Sequence, residues 1–330
     1  MNKVTRILAV LDGTGEDTVV LDKAVALADQ QRASLELFLC DAQSAYSLQH
    51  SYDQTDVEAF RSKSLRDSRR YLNSLRDVAV KADVPITVDA ACESPLYEAI
   101  VRKVMRSRAD FVIKSAATSD PSRRFALDAN DWQLIRACPA TLLMSRGKSW
   151  RLAPKFAAAV DMSGEETSGL PANIVQISVD ILRGFKGRLD IVYSEPEGTH
   201  GAEHQKRLEK LRALNSFAGI PGAEVHVLRG HPEEALPPFT AARVYDAVVM
   251  GALTHRKSLS ALVGTLTSKL VDCLDCDFVL VKPDTYRTTV ELTDTLVNYS
   301  LDEPEAESFP QPPSATPGFV SPWQLPARAD

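Results

Sequence analysis

Cysteine is scarce in this 330-residue chain: five residues, an odd number thinly spread. That excludes a disulfide framework and fits a reducing compartment. No apolar run approaches the roughly 20 residues that a bilayer span needs. The short stretch before Asp12 also carries no small-residue cleavage pattern. The expectation is a cytoplasmic protein with no membrane partner. Strong charge of one sign is missing as well. A formal charge of −6 argues against nucleic acid as a partner, because such proteins are built to neutralise phosphate. Nucleophile elbows of the form Gly-x-Ser-x-Gly, Walker loops of the form Gly-x4-Gly-Lys-(Ser/Thr) and metal-ligand clusters are absent too. No catalytic residue or metal ligand is nominated, and action by binding rather than turnover is expected.

The mild acidity is unevenly placed. From Thr285 to Asp330 seven acids face two arginines, so the preceding residues are nearly neutral. Seven of the nineteen prolines fall between Pro304 and Pro326. Such a segment cannot bury enough apolar area to offset its ordering entropy, and residues 291–330 read as an acidic, Pro-rich, disordered tail. Phe319 and Trp323 in it are either isolated aromatics or a short docking motif.

What is present is a repeat. Arg6–Asp12 is an apolar run ending in an acid and a glycine turn, followed by helical spacing through Val20, Ala24, Leu27 and Ala28, then the run Leu35–Cys40. The order returns with Phe156–Asp161, the helical stretch Ile174–Leu182, and Leu189–Tyr193. Ala109–Lys114 likewise pairs with Tyr245–Met250, and Ala140–Met144 with Phe278–Lys282. The offsets are 149 for Asp12 to Asp161, 136 for Asp110 to Asp246 and 138 for Cys138 to Cys276. Two β-α-β units of about 140 residues explain all three offsets if the first carries an insert at Gln43–Asp83. Within it, Val57, Phe60, Leu65, Leu72, Leu75 and Ala79 have helical spacing. Arg61, Lys63, Arg66, Arg69, Arg70 and Arg76 fill other positions. This predicts a long amphipathic helix whose basic face is either solvated or binds an anion.

After the fourth strand of the second unit the chain reads Gly251-Ala-Leu-Thr254, nine residues, then Gly264-Thr265-Leu266-Thr267. A glycine past a strand lets the backbone approach a ligand, and a helix opening at Gly264-Thr265 offers free amides to an anion. This stretch resembles the universal stress protein family, whose nucleotide-binding members carry Gly-x2-Gly-x9-Gly-(Ser/Thr) here. Thr254 replaces the middle glycine. The family's acid at the end of strand one matches Asp161, with Ser163 just after it, and its adenine contact at the end of strand two falls near Tyr193 and Ser194. Asn130-Asp-Trp132 through Arg136-Ala-Cys138-Pro139, Gly230-His-Pro232-Glu-Glu234 and Asp277 through Pro283-Asp284 resemble the tandem, two-domain branch. The resemblance spans about Val4 to Leu292.

The resemblance implies two tandem open five-stranded parallel sheets, order 3-2-1-4-5, with helices on both faces, of the adenine nucleotide alpha hydrolase-like type. The domains would be 1–149, with a degenerate phosphate loop, and 150–290, with a partly kept one. They would form an intramolecular pseudo-dimer, with a further homodimer left open. The implied nucleotide set is Asp161, Ser163, Tyr193, Ser194, Gly230, Gly251, Thr254, Gly264, Thr265, Leu266 and Thr267, for ATP or another adenine nucleotide with Mg²⁺. The first domain departs from the pattern: Lys114–Arg124 holds no glycine, so no nucleotide triphosphate is expected there. In the second, Thr254 either weakens or alters binding. The alternatives are a nucleotide-free carrier of an apolar metabolite or lipid, an interaction scaffold, and a slow ATPase.

Cys273-x-x-Cys276 has redox spacing, but Asp272, Asp275 and Asp277 surround it, and buried small hydrophobes are expected instead. His200 and His204, four apart, lack a third ligand and read as solvated. Arg256 or Lys257, beside His255, either pairs with phosphate or lies exposed on a loop.

Overall fold

Strands made almost wholly of apolar residues need cover on both faces, and helices of matching spacing supply it. A computed structural model describes residues 4–48, 54–79, 83–116, 127–162, 169–195, 197–198, 200–220, 222–252 and 274–292. The first half runs β1 (Arg6–Leu11), α1 (Asp17–Gln31), β2 (Ser34–Cys40), α2 (Ala42–Leu48), α3 (Gln54–Ala79), β3 (Ile86–Ala91), α4 (Leu96–Ser107), β4 (Phe111–Ser115), α5 (Ala129–Ala137) and β5 (Thr141–Ser145). The second runs β6 (Lys155–Ala159), α6 (Leu170–Leu182), β7 (Arg188–Glu195), α7 (Gly201–Ala218), β8 (Glu224–Arg229), α8 (Pro232–Arg243), β9 (Ala247–Gly251) and β10 (Asp277–Val281). These lie in one unit, Met1–Glu291; the remainder, Leu292–Asp330, is divided from it. The expected tail disorder concerns residues that, after Leu292, lie outside the described ones.

The strand order is β3-β2-β1-β4-β5-β10-β9-β6-β7-β8. Each half therefore has the expected 3-2-1-4-5 order, with parallel pairing inside it. The difference from expectation is that the two sheets are one. β5 and β10 pair antiparallel, Met144 against Phe278 and Leu142 against Leu280. Each is the last strand of its half and presents an unpaired edge, and mutual pairing satisfies both edges at once.

Polar groups reinforce this junction. Lys23 on α1 donates to Asp277 Oδ2 at 2.6 Å and Ser145 Oγ at 2.7 Å. Asp277 also accepts from Trp150 Nε1 and the Arg146 amide, each at 2.7 Å. Lys23 and Asp277 are both almost completely buried. On the other side, Lys282 donates to the carbonyls of Arg136 and Cys138, at 2.7 and 2.6 Å, at the C-terminal end of α5.

The insert accounts for the unequal offsets. α3 is 26 residues long, buries Leu65 and Leu72, and packs on β2 and β3. On its basic face Arg70 pairs with Asp67 at 3.1 Å, and Arg69 lies 4.0 Å from Asp89 of β3. Cys92, Cys138 and Cys276 are buried free thiols. Burial pushes the Cys276 thiol up to about 12, aided by Asp277 and Asp275. This thiol is therefore inert near neutral pH. Cys273 lies outside the described residues. Among the described residues, no helix is long and apolar enough to cross a membrane.

Candidate functional site

In an open parallel sheet a ligand crevice forms where neighbouring connections leave on opposite faces, at the carboxyl ends of the strands. The second half has this switch point between β6 and β9. Asp161 lies exposed just past β6, Tyr193 and Ser194 near the end of β7, Gly230 just past β8 and Gly251 at the end of β9. The structure thus brings these five expected residues to one end of the sheet. Ser163, Thr254, Gly264, Thr265, Leu266 and Thr267, with His255, Arg256 and Lys257, lie outside the described residues.

Tyr193 is buried, and its hydroxyl accepts from Arg207 at 3.0 Å. Burial pushes its pKa up; Arg207 opposes this, while the Asp161 and Glu195 carboxylates add to it. Ser194 donates its hydroxyl to the Gly230 carbonyl at 2.8 Å, and the Gly230 amide donates to Glu195 O at 3.0 Å. These bonds tie the ends of β7 and β8 together. Gly230 has φ +100°, with open space where a Cβ would stand. The backbone turn, not crowding, requires glycine here. Gly230→Ala is expected to cost on the order of 1–2 kcal/mol through strain alone, read as a lower urea midpoint with an unchanged slope.

Gly251 is constrained differently. A Cβ there would lie 2.8 Å from Leu170 Cδ2, so Leu170 of α6 packs where a larger residue would push its side chain aside. This packing role accompanies the expected approach of backbone to ligand.

One group escaped the sequence reading. Glu195 ends β7 with no solvent exposure, facing His204 Nδ1 at 2.7 Å, Arg229 at 3.0 Å and Arg207 at 3.7 Å. Its Oε1 has no hydrogen-bond partner among the described residues. His204 is thereby half-buried against a carboxylate, not merely solvated, while His200 is exposed at the start of α7. The available signal was an acid closing the apolar run of β7, with Arg207 one helical turn from Glu203.

At the equivalent end of the first half the turn after β1 is held by its own side chains. The Asp12 carboxylate accepts from the Thr14 amide and hydroxyl at 3.1 and 2.6 Å. Asp17, 1% exposed, accepts the Asp12 and Gly13 amides and the Tyr71 hydroxyl delivered by α3. Burial raises the Asp17 pKa despite these bonds. At the end of β4, Lys114 pairs at 2.8 Å with Asp131, in the first turn of α5, whose N-cap is Asp128. Burial raises the Asp131 pKa while Lys114 lowers it. Two carboxylates of the chain itself therefore occupy a helix N-terminus that would otherwise attract an anion.

Two tandem α/β units of this strand order have the adenine nucleotide alpha hydrolase-like fold. The chain belongs to the universal stress protein family, whose model matches residues 3–146 and 174–282. Universal stress protein E of Escherichia coli K12 is 24% identical over 306 residues, covering 87% of this chain and 97% of that one. The Haemophilus influenzae homologue of that protein is also 24% identical, covering 85% and 98%. Among solved structures, a universal stress protein from Archaeoglobus fulgidus superposes with TM-score 0.65 at 12% identity, covering 85% of this chain and 99% of its own.

Proposed function

We propose that this stress-response protein binds one adenine nucleotide, in the crevice of its second half, and acts through occupancy rather than turnover. The observation that carries the reading is the contrast between the two switch points. In the second half an exposed carboxylate, Asp161, stands beside a β7–β8 edge closed by Ser194 and Gly230. In the first half Asp12 is exposed as well, but Asp128 and Asp131 crowd the start of α5. A triphosphate would meet like charge there, only partly offset by Lys114, which disfavours it.

In this reading Asp161 accepts the hydroxyls of a ribose, while Gly251, Gly264 and Thr265 face the phosphates with Mg²⁺ as counter-ion. Thr254 contributes a hydroxyl where the family has glycine. The test is calorimetric titration of the full chain with ATP and Mg²⁺. One site per chain is expected, and Asp161→Ala should weaken it about ten- to a hundredfold, the loss of a hydrogen bond to a charged group. Asp12→Ala should leave the affinity unchanged. Phosphate release should stay at background. An affinity insensitive to Asp161→Ala, or a lipid or other apolar molecule co-purifying at one per chain in native mass spectrometry, would overturn the reading.

A further inference from the structure

At the opposite end of the second half, the outer edge of the sheet carries a group of ligand-type side chains. β8 is the last strand and pairs with β7 so that Asp190 stands against Glu224 and Val192 against His226. Alternate residues of a strand share a face, so Glu224 and His226 project on the side of Asp190. Their ligand atoms all lie within 4.8 Å of one another. Asp190 is five residues before Glu195, about 16 Å along the strand, so this group is separate from the nucleotide crevice.

Three observations go beyond mere proximity. His226 Nε2 is buried and makes no hydrogen bond among the described residues. It lies 3.5 Å from Asp190 Oδ2 and 3.4 Å from Glu224 Oε2, too far and too poorly aimed to bond either. Ligand atoms around a tetrahedral ion with bonds of 2.0–2.1 Å stand about 3.3–3.4 Å apart. Charge points the same way. Two carboxylates face one ammonium, Lys155, at 2.9 Å from Asp190. The Asp190 carboxylate is also oriented by the Tyr245 hydroxyl at 2.6 Å, an arrangement that fixes ligands in metal sites.

We propose that Asp190, Glu224 and His226 form a site for a divalent cation of the zinc type, with one nitrogen and two oxygen donors and water completing the shell. One nitrogen beside two carboxylate oxygens suits a borderline ion such as Zn²⁺ better than Mg²⁺, which takes oxygen almost alone. Lys155 is the built-in competitor, since ion and ammonium share Asp190. It is partly exposed, with its Nζ 4.6 Å from the Tyr245 ring centre.

The test is titration of the full EDTA-treated chain with Co²⁺, followed by displacement with Zn²⁺. One ion per chain with visible ligand-field bands is expected. His226→Gln and Glu224→Gln should each lower the affinity at least about tenfold, and Lys155→Met should raise it. Glu224 is exposed, so its variant keeps the test intact if His226→Gln fails to fold. Zn²⁺ should raise the melting temperature of the wild type and not of Glu224→Gln. Absence of stoichiometric binding overturns the proposal. So does binding that persists in both variants and disappears when the cysteines are alkylated.

Discussion

Lys23→Ala is expected to destabilise the protein by about 3–5 kcal/mol, the usual cost of leaving one member of a buried ion pair without its partner. Among the described residues Lys23 is the only ammonium paired with Asp277, and both are withdrawn from water. Asp277 would keep the Trp150 and Arg146 donors but lose its counter-charge. Asp277→Leu does not relieve the problem, because three buried donors would then lose their acceptor. Lys148→Ala supplies the comparison: its pair with Asp275, at 2.7 Å, is about 60% exposed on both sides, and its loss should cost less than about 1 kcal/mol. Urea unfolding followed by tryptophan emission reads both, since Trp150 sits in the affected cluster. Equal midpoints for Lys23→Ala and Lys148→Ala would show that the buried pair adds nothing at the junction. Because the pair joins α1 of one half to β10 of the other, unfolding is expected to remain a single transition in the wild type.

The second large effect is one of pH. Burial lowers the Lys282 pKa from 10.5 to about 8, with the Cys138 thiol opposing. Its acceptors are two carbonyls, not a carboxylate, and the Tyr286 ring centre lies 4.0 Å away, so the charge is only partly offset. Below about pH 8 the ammonium is charged in both folded and unfolded chains, and its desolvation cost is fully present. Between pH 8 and about 10.5 the folded chain releases the proton while the unfolded chain keeps it. The unfolded state then binds more protons, and stability from this group rises with pH. Relative to Lys282→Met, the wild type should gain about 2–3 kcal/mol from pH 7.5 to 10. The comparison with the variant matters because other groups pull the opposite way. Burial raises the pKa of Cys276 and Tyr286, each to about 12, so their contribution falls as pH rises through the unfolded values. Those terms are shared by both chains. A wild-type minus variant difference that stays flat across this range would contradict the assignment. The methionine variant should also lose a constant amount, because the carbonyls of Arg136 and Cys138 lose their donor.

Much of the architecture was legible in the order of residues. Apolar runs such as Ala247–Met250, with helical spacing between them, specify parallel strands covered on both faces, and the three offsets locate the insert that became α3. The placement of Asp161, Tyr193, Ser194, Gly230 and Gly251 at one end of the sheet follows from the same periodicity, because a residue closing a parallel strand must lie on its carboxyl edge. What each does there was not legible. Gly251 reads in sequence as an approach to ligand, yet its missing Cβ also admits Leu170, and that depends on how close α6 comes.

The amino-acid sequence by itself determined the local preferences and their repetition: which segments are strands, which helices cover them, and that two units follow one another. Only the tertiary structure decided that the two sheets are one, through β5 against β10, and that Lys23 meets Asp277 across 254 residues. It also decided that Asp190 and Glu224 stand opposite each other on adjacent strands. The physical reason is common to all three. Periodicity reports what a residue does within its own element. Pairing of edges, burial of opposite charges and convergence of ligand atoms depend on the register between elements far apart in the chain, which no local pattern encodes.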